Sequence, residues 1–368
     1  MIEDKVLIVF PHEININNGG PSGFIAHNLL DKPREYFVLS QDILKTEISK
    51  ITKRLDYIIK RTLFLLKNRD ENVKKLKVSF FYRYYSEKIN MKNYKFLYFH
   101  ETVHLERFRK YICDNQIVIL QSHSPELPSV EYSKWAPSDT EEIAFREKAE
   151  KEAFKRADIV VFPNEGCKEI YNDLLTDKKR IEYILSGSKN GYSKEGGIHS
   201  LPEEEINLMY IGRRNEVKGF DIVLEAFRKA RKRRKDINLI IVGNGEKIEE
   251  EGIIDIGFST NPIKWYNSVD YLINANRQSY FDLSIIEALS TGVPIIMSNN
   301  FGHGYYEGKS SLIETYDVNK PDMLYEILMG DLKKRDFMNS ENRDLYNSSL
   351  SDICYYERFK DFVKKTIG

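Results

Sequence analysis

The sequence predicts an α/β protein with two doubly wound domains that face a central cleft. Its 368 residues exceed what one ordinary hydrophobic core holds, so two domains are expected. Short apolar runs rich in β-branched and aromatic residues alternate with longer helical patterns, as is typical of parallel strands covered on both faces. Residues 186–204 are rich in Gly, Ser and charge and interrupt this alternation, which indicates an interdomain linker. We therefore expect an N-terminal domain over 1–190 and a C-terminal domain over 205–345.

The predicted strands follow one another at regular intervals along both halves of the chain. Helical segments separate them, so the connections are expected to be right-handed crossovers between parallel strands. In the first half the predicted strands are 5–10, 36–40, 77–82, 95–99, 116–121, 158–163 and 180–185. In the second half they are 206–212, 237–243, 253–257, 270–275 and 293–298. Two doubly wound domains would place a ligand site between them, outside the carboxyl ends of the strands.

The composition excludes several classes of protein. Lys plus Arg equals Asp plus Glu, at 56 each, so no global field favours nucleic acid as a partner. The three cysteines, Cys113, Cys167 and Cys354, are widely spaced. Their number and spacing fit a reducing compartment and lack the spacing of a metal site. We therefore expect a cytoplasmic protein.

A basic stretch runs from Lys45 to Arg83, with twelve Lys or Arg residues against four Asp or Glu residues. It contains the apolar sequence YIIKRTLFLL, which is too short and too charged to span a bilayer. The stretch could lie on anionic lipid, so that the protein is held peripherally at the inner face of the membrane. A solvated helix face is the simpler interpretation, and both remain open.

The first loop, PHEININNGGPSGFIAHNLL, follows a predicted strand and opens a helix. It carries Gly19, Gly20 and Gly23, and glycine lets a phosphate approach the backbone N–H groups of a helix N-terminus. The spacing is not that of the dinucleotide fingerprint G-x-G-x-x-G. A tight strand-to-helix turn without any ligand explains the glycines equally well.

The second domain opens with YIGRRNEVKGFDIVLEAF, in which Arg213 and Lys218 flank a helix start. Two cations at a helix N-terminus do not favour that helix electrostatically. They are explained if an anion with two charged groups lies between them, since Arg binds phosphate bidentately and Lys supplies a point charge. Two solvated surface cations are the alternative.

The segment SYFDLSIIEALSTGVPII, residues 279–296, predicts a loop, a helix and a buried strand. Asp282 and Leu283 begin the helix near a strand's carboxyl end, where their N–H groups could bind a phosphate. Glu287 has two interpretations. It could complete a capping box that starts at Ser284, or it could accept hydrogen bonds from a ribose diol. The local pattern alone favours the cap.

Taken together and in this order, the segments resemble the nucleotide-binding half of retaining GT-B glycosyltransferases, most closely the large family 4. The resemblance rests on Arg-x4-Lys-Gly, on a strand ending in Val-Gly-x-Gly, and on Glu-Ala-Leu-x-x-Gly-x-Pro, and it covers most of residues 206–300. In the first half, the Gly-Gly loop and the segments FLYFHETVH and IVILQSHSPE are similar to the family's Gly-Gly loop and its two strand-end histidine segments. It implies two Rossmann-like domains in the GT-B arrangement. It also implies that a C-terminal helix over about 350–368 crosses back onto the first domain.

The resemblance implies a role for each matching residue. Arg213 and Lys218 would bind the donor diphosphate and would also stabilise the leaving nucleotide during catalysis. Glu287 would bind the ribose, and His123 would lie against the transferred sugar as a catalytic-site residue. The remaining implied positions are Gly19, Gly20 and Leu283 near the donor phosphates and His100 on the acceptor side.

Two donor-site positions depart from the family's pattern. Ser279 stands where the family has a Glu that contacts the donor sugar, and Asp282 stands where it has a Gly. A serine hydroxyl makes neutral hydrogen bonds where a carboxylate makes stronger ones. A carboxylate at 282 should repel a diphosphate unless it points away or caps the helix. Both differences bear on donor choice and on activity.

The predicted reaction transfers a sugar from a nucleoside diphosphate donor, a UDP-sugar, to a cell-surface glycan or its lipid-linked precursor. No Asp-x-Asp motif is present, so we expect cationic side chains and helix N-termini, not a metal ion, to stabilise the leaving diphosphate. No cofactor is expected, because the nucleotide-sugar is a substrate. The resemblance implies retention through front-face attack. Two rival hypotheses are a nucleotide-sugar epimerase of the same fold and a catalytically silent GT-B subunit that binds a partner transferase.

Overall fold

The computed structural model describes residues 3–47, 71–176, 179–193, 201–320 and 322–368. These residues form two parallel six-stranded sheets, each covered by helices. Among the described helices, none combines the length and the apolar character that crossing a membrane requires.

The first sheet has the strand order β2-β1-β3-β4-β5-β6, and all of its pairs are parallel. Its strands are β1 (Glu3–Val9), β2 (Phe37–Leu39), β3 (Tyr94–Phe99), β4 (Ile117–Gln121), β5 (Ile159–Phe162) and β6 (Arg180–Tyr183). The helices that accompany it are α1 (Gly20–Asn28), α2 (Ser40–Glu47), α3 (Glu71–Lys88), α4 (Thr102–Phe108), α5 (Pro128–Trp135), α6 (Thr140–Arg156) and α7 (Glu165–Glu169). The chain order reverses beside β1, so β1 and β3 border the switch point where such sheets bind ligands.

The second sheet has the order β12-β11-β10-β7-β8-β9 and is also parallel. Its strands are β7 (Ile206–Ile211), β8 (Ile237–Val242), β9 (Ile253–Gly257), β10 (Tyr271–Asn274), β11 (Ile295–Ser298) and β12 (Ile313–Tyr316). The helices that accompany it are α8 (Phe220–Arg231), α9 (Pro262–Tyr266), α10 (Leu283–Thr291), α11 (Met323–Met329) and α12 (Glu341–Leu345). Its switch point lies between β7 and β10.

The last helix, α13 (Asp352–Ile367), lies on the first sheet. Its Tyr355 ring meets Phe24 of α1 edge-on at 5.1 Å, and its Phe359 ring meets Phe37 of β2 at 5.6 Å. The chain passes between the sheets at 184–193, where Gly187 faces Ser351. A Cβ at Gly187 would approach the carbonyl oxygen of Ser351 to 2.5 Å, so only glycine fits this crossing.

One sequence prediction was wrong: residues 77–82, predicted as a strand, lie inside α3. The aromatic run is strand-like in composition, but the buried residues Tyr82, Tyr85 and Ile89 recur at helical spacing. Tyr82 packs against Phe108 with the ring centroids 4.7 Å apart, so tertiary packing selects the helix. The edge strand β12 was missed, because it has four residues and the two in the middle are not buried.

The hydrophobic core is continuous between the two domains. One cluster of buried side chains includes Leu97 and Tyr171 of the first domain together with Phe281, Ile285 and Tyr306 of the second. Two further clusters cover the outer faces of the sheets. Burial of apolar surface across this junction holds the carboxyl ends of the two sheets facing one another.

Candidate functional site

A cleft of about 1170 Å³ lies between the carboxyl ends of the two sheets. Residues from both domains line it, and they include residues of the loops that follow β1, β3, β4 and β7 to β10 and residues of the helices α1, α5 and α10. Of the residues that the sequence singled out, the lining includes Gly19, Gly20, His100, His123, Arg213, Lys218, Asp282, Leu283 and Glu287. The tertiary fold thus brings nine of the predicted site residues to one cavity.

Two helix N-termini face each other across this cleft. Helix α1 begins at Gly20, whose φ of 64° is in the left-handed region, and its N-cap Gly19 provides no side-chain bond. Helix α10 begins at Leu283, and its N-cap Asp282 makes no side-chain cap bond either. A Cβ built on Gly23 would lie 3.8 Å from Cδ1 of Leu283, so the two helix starts are close. Uncapped N–H groups of this kind attract anions.

Two of the three cations in the second-domain loop, Arg213 and Lys218, line the cleft, and each contacts a carboxylate. Nη2 of Arg213 lies 2.9 Å from Oε1 of Glu131, which belongs to α5 of the first domain. Nζ of Lys218 lies 3.0 Å from Oδ2 of Asp282. The next residue, Gly219, has a φ of 61°, and a Cβ there would collide with the carbonyl oxygen of Ala275. Glycine at this position allows the Lys218 loop to lie against β10.

Asp282 does not cap its helix and does not point away from the cleft. It accepts hydrogen bonds from Lys218 and Asn276, and its Oδ2 lies 3.4 Å from Nε2 of the buried His303. Burial alone would raise the pKa of Asp282, but the positive charge of Lys218 and the contact with His303 lower it far below its ordinary value. The carboxylate is therefore ionised, and it offsets the charge of Lys218.

Ser279 is fully buried and lies outside the residues that line the cleft. Its hydroxyl donates to the carbonyl oxygen of Asn300 and accepts from the backbone N–H of His303 at 3.3 Å. The Ser279 hydroxyl is thus hydrogen-bonded to the loop that follows β11, and the donor-sugar contact expected at this position stays a prediction.

Glu287 is not part of a capping box. Ser284 lies inside α10, whose N-cap is Asp282, so Glu287 is too far along the helix to reach that cap. Its Oε1 instead lies 3.3 Å from Nε2 of His27 on α1. Nδ1 of His27 accepts the backbone N–H of Lys189 at 3.1 Å, so the imidazole proton belongs on Nε2 and faces Glu287.

The strand-end histidines form a pair at the floor of the cleft. Nδ1 of His100 and Nε2 of His123 share a hydrogen bond of 2.8 Å, and the His123 ring lies 4.5 Å from that of Phe24. Burial lowers the pKa of His100 well below 6.5, and burial lowers the pKa of His123 to about 3. Both rings are neutral at physiological pH.

A second histidine pair lies beside the first. Nδ1 of His104 is 2.7 Å from Oε2 of Glu101, and Nε2 of His104 is 3.0 Å from Nε2 of His12. Burial and the neighbouring His104 lower the pKa of His12, and the negative charge of Glu101 offsets this lowering only in part. Across the part of the chain that the structure describes, no group of three or more His, Cys, Asp or Glu side chains is arranged to hold a metal ion.

Sequence reasoning missed three residues of the site: His27, Glu101 and Glu131. Each is an unremarkable polar residue within its own segment, and His27 and Glu131 gain significance only through pairing with a residue distant in the chain. The basic stretch from Lys45 to Arg83 is described only in part. Its central residues 48–70 lie outside the described residues, so that prediction is not tested here.

The amino-acid sequence of the chain is similar to those of known glycosyltransferases. Residues 205–325 match the family model for glycosyl transferases group 1. The chain is 25% identical to the O-antigen biosynthesis glycosyltransferase WclY of Escherichia coli, over 57% of this chain and 63% of that protein. It is 21% identical to the capsular polysaccharide biosynthesis glycosyltransferase CapM of Staphylococcus aureus, over 58% and 64% of the two chains. These matches span less than two thirds of the curated relatives' own length.

Solved structures show the same architecture. Anabaena HepE in complex with UDP-glucose aligns with a TM-score of 0.66 at 13% identity, over 98% of this chain and 99% of that one. Sucrose-phosphate synthase from Thermosynechococcus elongatus aligns with a TM-score of 0.63 at 14% identity, over 79% and 77%. The predicted GT-B fold is therefore confirmed, as is the resemblance to GT-B glycosyltransferases.

Proposed function

We propose that this chain, which has the GT-B fold and resembles glycosyltransferases of that fold, transfers a sugar from a UDP-sugar to a glycan or a lipid-linked glycan precursor with retention of configuration. The observation that carries the proposal is the convergence of Arg213, Lys218, Glu287 and the start of α10 on one cleft. Each matches a component of a nucleoside diphosphate: two cations and free N–H groups for the phosphates, and a carboxylate for the ribose.

The diphosphate would lie between the loop that contains Arg213 and Lys218 and the N-terminus of α10. As the bond to the sugar breaks, negative charge develops on the leaving diphosphate. Arg213 and Lys218 would stabilise this charge, together with the N–H groups at Leu283 and Ser284. These groups are held in place before the reaction, so little reorganisation is needed when the charge develops.

The ribose would contact Glu287 on the first turns of α10. A carboxylate accepts hydrogen bonds from both hydroxyls of a ribose diol, and these bonds are charge-assisted. His27 supports this arrangement because its Nε2 proton faces Oε1 of Glu287 and holds the carboxylate toward the cleft. The uridine base of the donor is proposed because the similar HepE structure holds UDP-glucose.

The transferred sugar would lie against His123. Since burial lowers the pKa of His123 to about 3, the ring acts as a neutral hydrogen-bonding group and not as an acid at pH 7. Deprotonation of the acceptor would then depend on the leaving phosphate, which agrees with front-face attack and retention. Because the Ser279 hydroxyl is committed to Asn300 and His303, the sugar's hydroxyls would meet the cleft-lining backbone at Tyr280 and Phe281.

The acceptor would enter from the first domain, past His100. At the rim of the cleft, Trp135 is 80% exposed, and its ring lies 5.8 Å from that of Tyr132. Exposed aromatic rings of this kind offer an apolar face to a pyranose ring. WclY and CapM are named for O-antigen and capsular polysaccharide biosynthesis, which supports a cell-surface glycan as the acceptor.

Peripheral contact with anionic lipid is part of the proposal, and it would place the enzyme at the inner membrane face. Helix α3 exposes Val78, Phe80 and Phe81, with Phe80 at 57%, beside the exposed cation Arg83. Apolar and basic residues on one helix favour a membrane surface. Sedimentation with anionic liposomes at low salt should therefore depend on Phe80 and Phe81. Equal sedimentation of the Phe80→Ser/Phe81→Ser variant would contradict this part of the proposal.

A catalytically silent GT-B subunit is the second candidate function. It is favoured by one observation: Arg213 is paired with the carboxylate of Glu131, and Lys218 is paired with that of Asp282. A panel of UDP-sugars, assayed for UDP release and for sugar transfer to lipid-linked acceptors, tests both candidates. Turnover with product of retained configuration supports the transferase. UDP binding without any turnover supports the silent subunit, and conversion of one UDP-sugar into another without UDP release supports the epimerase.

A further inference from the structure

Arg213, which is expected to bind the donor diphosphate, forms an ion pair with a residue of the opposite domain. Arg213 follows β7 of the second domain, whereas Glu131 lies on α5 of the first, and their side chains meet across the cleft at 2.9 Å. We infer that Glu131 is a positioning residue that holds Arg213 where the diphosphate is expected and competes with the donor for this arginine. This inference deepens the proposed function and rests on it.

The Glu131 carboxylate is built into the first domain. Its Oε2 accepts the hydroxyl of Ser124, which follows the strand-end residue His123, and its Oε1 accepts from Arg213. Burial alone would raise the pKa of Glu131, but the hydrogen bonds from Ser124 and Arg213 lower it below its usual value. The group is therefore a fixed anion at neutral pH, directed at Arg213 by its own domain.

The formal charges of the described side chains that line the cleft balance. Among the residues that the structure describes, four acidic and four basic side chains line it: Glu101, Glu131, Asp282 and Glu287 against Arg146, Lys189, Arg213 and Lys218. Lys218 is paired with Asp282, as Arg213 is with Glu131. A site with no net formal charge offers a diphosphate little attraction until a carboxylate withdraws. The contact between Arg213 and Glu131 is the one suited to open, because both side chains are partly exposed to solvent, whereas Asp282 is held by three partners.

Replacement of Glu131 by a diphosphate at Arg213 costs little free energy. The Arg213 side chain is 62% exposed and that of Glu131 is 33% exposed, so solvent screens the pair. Ion pairs of this kind contribute little to stability. A diphosphate offers Arg213 several charged oxygens in place of one carboxylate. When the nucleoside diphosphate product leaves, Glu131 would return to Arg213 and so assist its release.

The test compares UDP binding by the wild-type protein and by Glu131→Gln, using calorimetry, with donor kinetics in parallel. Gln retains an acceptor for Ser124 but removes the charge that holds Arg213. We expect Glu131→Gln to bind UDP about two- to fivefold more tightly. The donor KM should fall by the same factor while kcat does not rise, because ground-state and transition-state binding change alike.

A matched control is Glu152→Gln. Glu152 also pairs with an arginine of its own domain, Arg109, at 2.7 Å, and is 29% exposed, but it lies outside the cleft lining. This control should leave the UDP affinity unchanged. In an Arg213→Ala background, Glu131→Gln should no longer tighten UDP binding.

Three results would overturn the inference. The first is an unchanged or weaker UDP affinity in a Glu131→Gln protein whose melting temperature matches the parent. The second is equal tightening by Glu152→Gln, which would indicate a general charge effect. The third is tightening that persists in the Arg213→Ala background. A wild-type protein that fails to bind UDP at all would instead overturn the proposed function, and the inference with it.

Discussion

Glu287→Gln distinguishes a ribose ligand from a residue that only joins the two domains. The Glu287 side chain is 15% exposed, lies in the second turn of α10 and contacts His27 at 3.3 Å. Gln retains one oxygen that can accept the Nε2 proton of His27. Since that contact is long for a hydrogen bond, we expect the free energy of unfolding to fall by less than about 1 kcal/mol.

Donor binding should respond much more strongly than stability. A ribose diol presents two O–H donors to the carboxylate, and the amide end of Gln would face one of them with another donor. Loss of hydrogen bonds to a charged group costs about 1.5 to 3 kcal/mol. This range corresponds to roughly 10- to 150-fold in UDP affinity.

The assay is calorimetry with two ligands, UDP and a UDP analogue that lacks both ribose hydroxyls. The wild-type protein should lose affinity for the analogue, and Glu287→Gln should bind the two ligands almost equally. Unchanged UDP affinity in a stable Glu287→Gln protein would refute the ribose contact. An equal loss for both ligands would also refute it, since the residue would then act on the shape of the cleft and not on the ribose.

Arg213→Ala and Lys218→Ala should each cost about 2.7 to 4 kcal/mol of transition-state stabilisation in kcat/KM, the scale of a lost oxyanion donor, and near-native turnover with the fold intact would make them surface cations. EDTA should leave turnover nearly unchanged, because cations and helix N-termini are proposed to stabilise the leaving group; activity that is abolished by EDTA and restored by Mg²⁺ or Mn²⁺ would contradict this. Acid should destabilise the protein through His100, whose pKa burial lowers well below 6.5: under pH 6.5 the unfolded chain takes up a proton there and the folded chain does not, so stability is lost as the pH falls below 6.5. Urea unfolding of His100→Gln at pH 7.5 and 5.5 should therefore show a smaller pH difference than unfolding of the wild-type protein, and an equal difference in both proteins would refute the assignment.

Most strands could be predicted because the apolar composition of each segment is itself typical of a buried strand. Segments such as 237–243 are continuous apolar runs between turn residues, and a strand covered on both faces requires that composition. The strand prediction failed at 77–82, because packing of Tyr82, and of Tyr85 just beyond this range, against Phe108 holds the segment in a helix. It also failed at β12, an edge strand too short to show a period.

The site was partly predictable for a similar reason. Arg213, Lys218 and Glu287 lie at fixed spacing from strand ends and helix starts, and the carboxyl ends of parallel strands meet at one edge of a sheet. The prediction that the loops form one cleft follows from that order. The capping-box interpretation of Glu287 was wrong because it depends on where α10 begins, and a boundary of this kind is set by the chain's entry into the helix at Asp282.

The sequence by itself determined the α/β class, eleven of the twelve strands that the structure describes, and the residues proposed to bind phosphate and ribose, since each depends on neighbours within one segment. Only the tertiary structure decided which charges meet. Glu131 is 82 positions from Arg213, and Lys218 is 64 positions from Asp282. His27 reaches Glu287 from the other domain. Such pairs form because the order of the strands and the burial of apolar surface between the domains bring distant parts of the chain together. A local sequence pattern carries no information about these contacts.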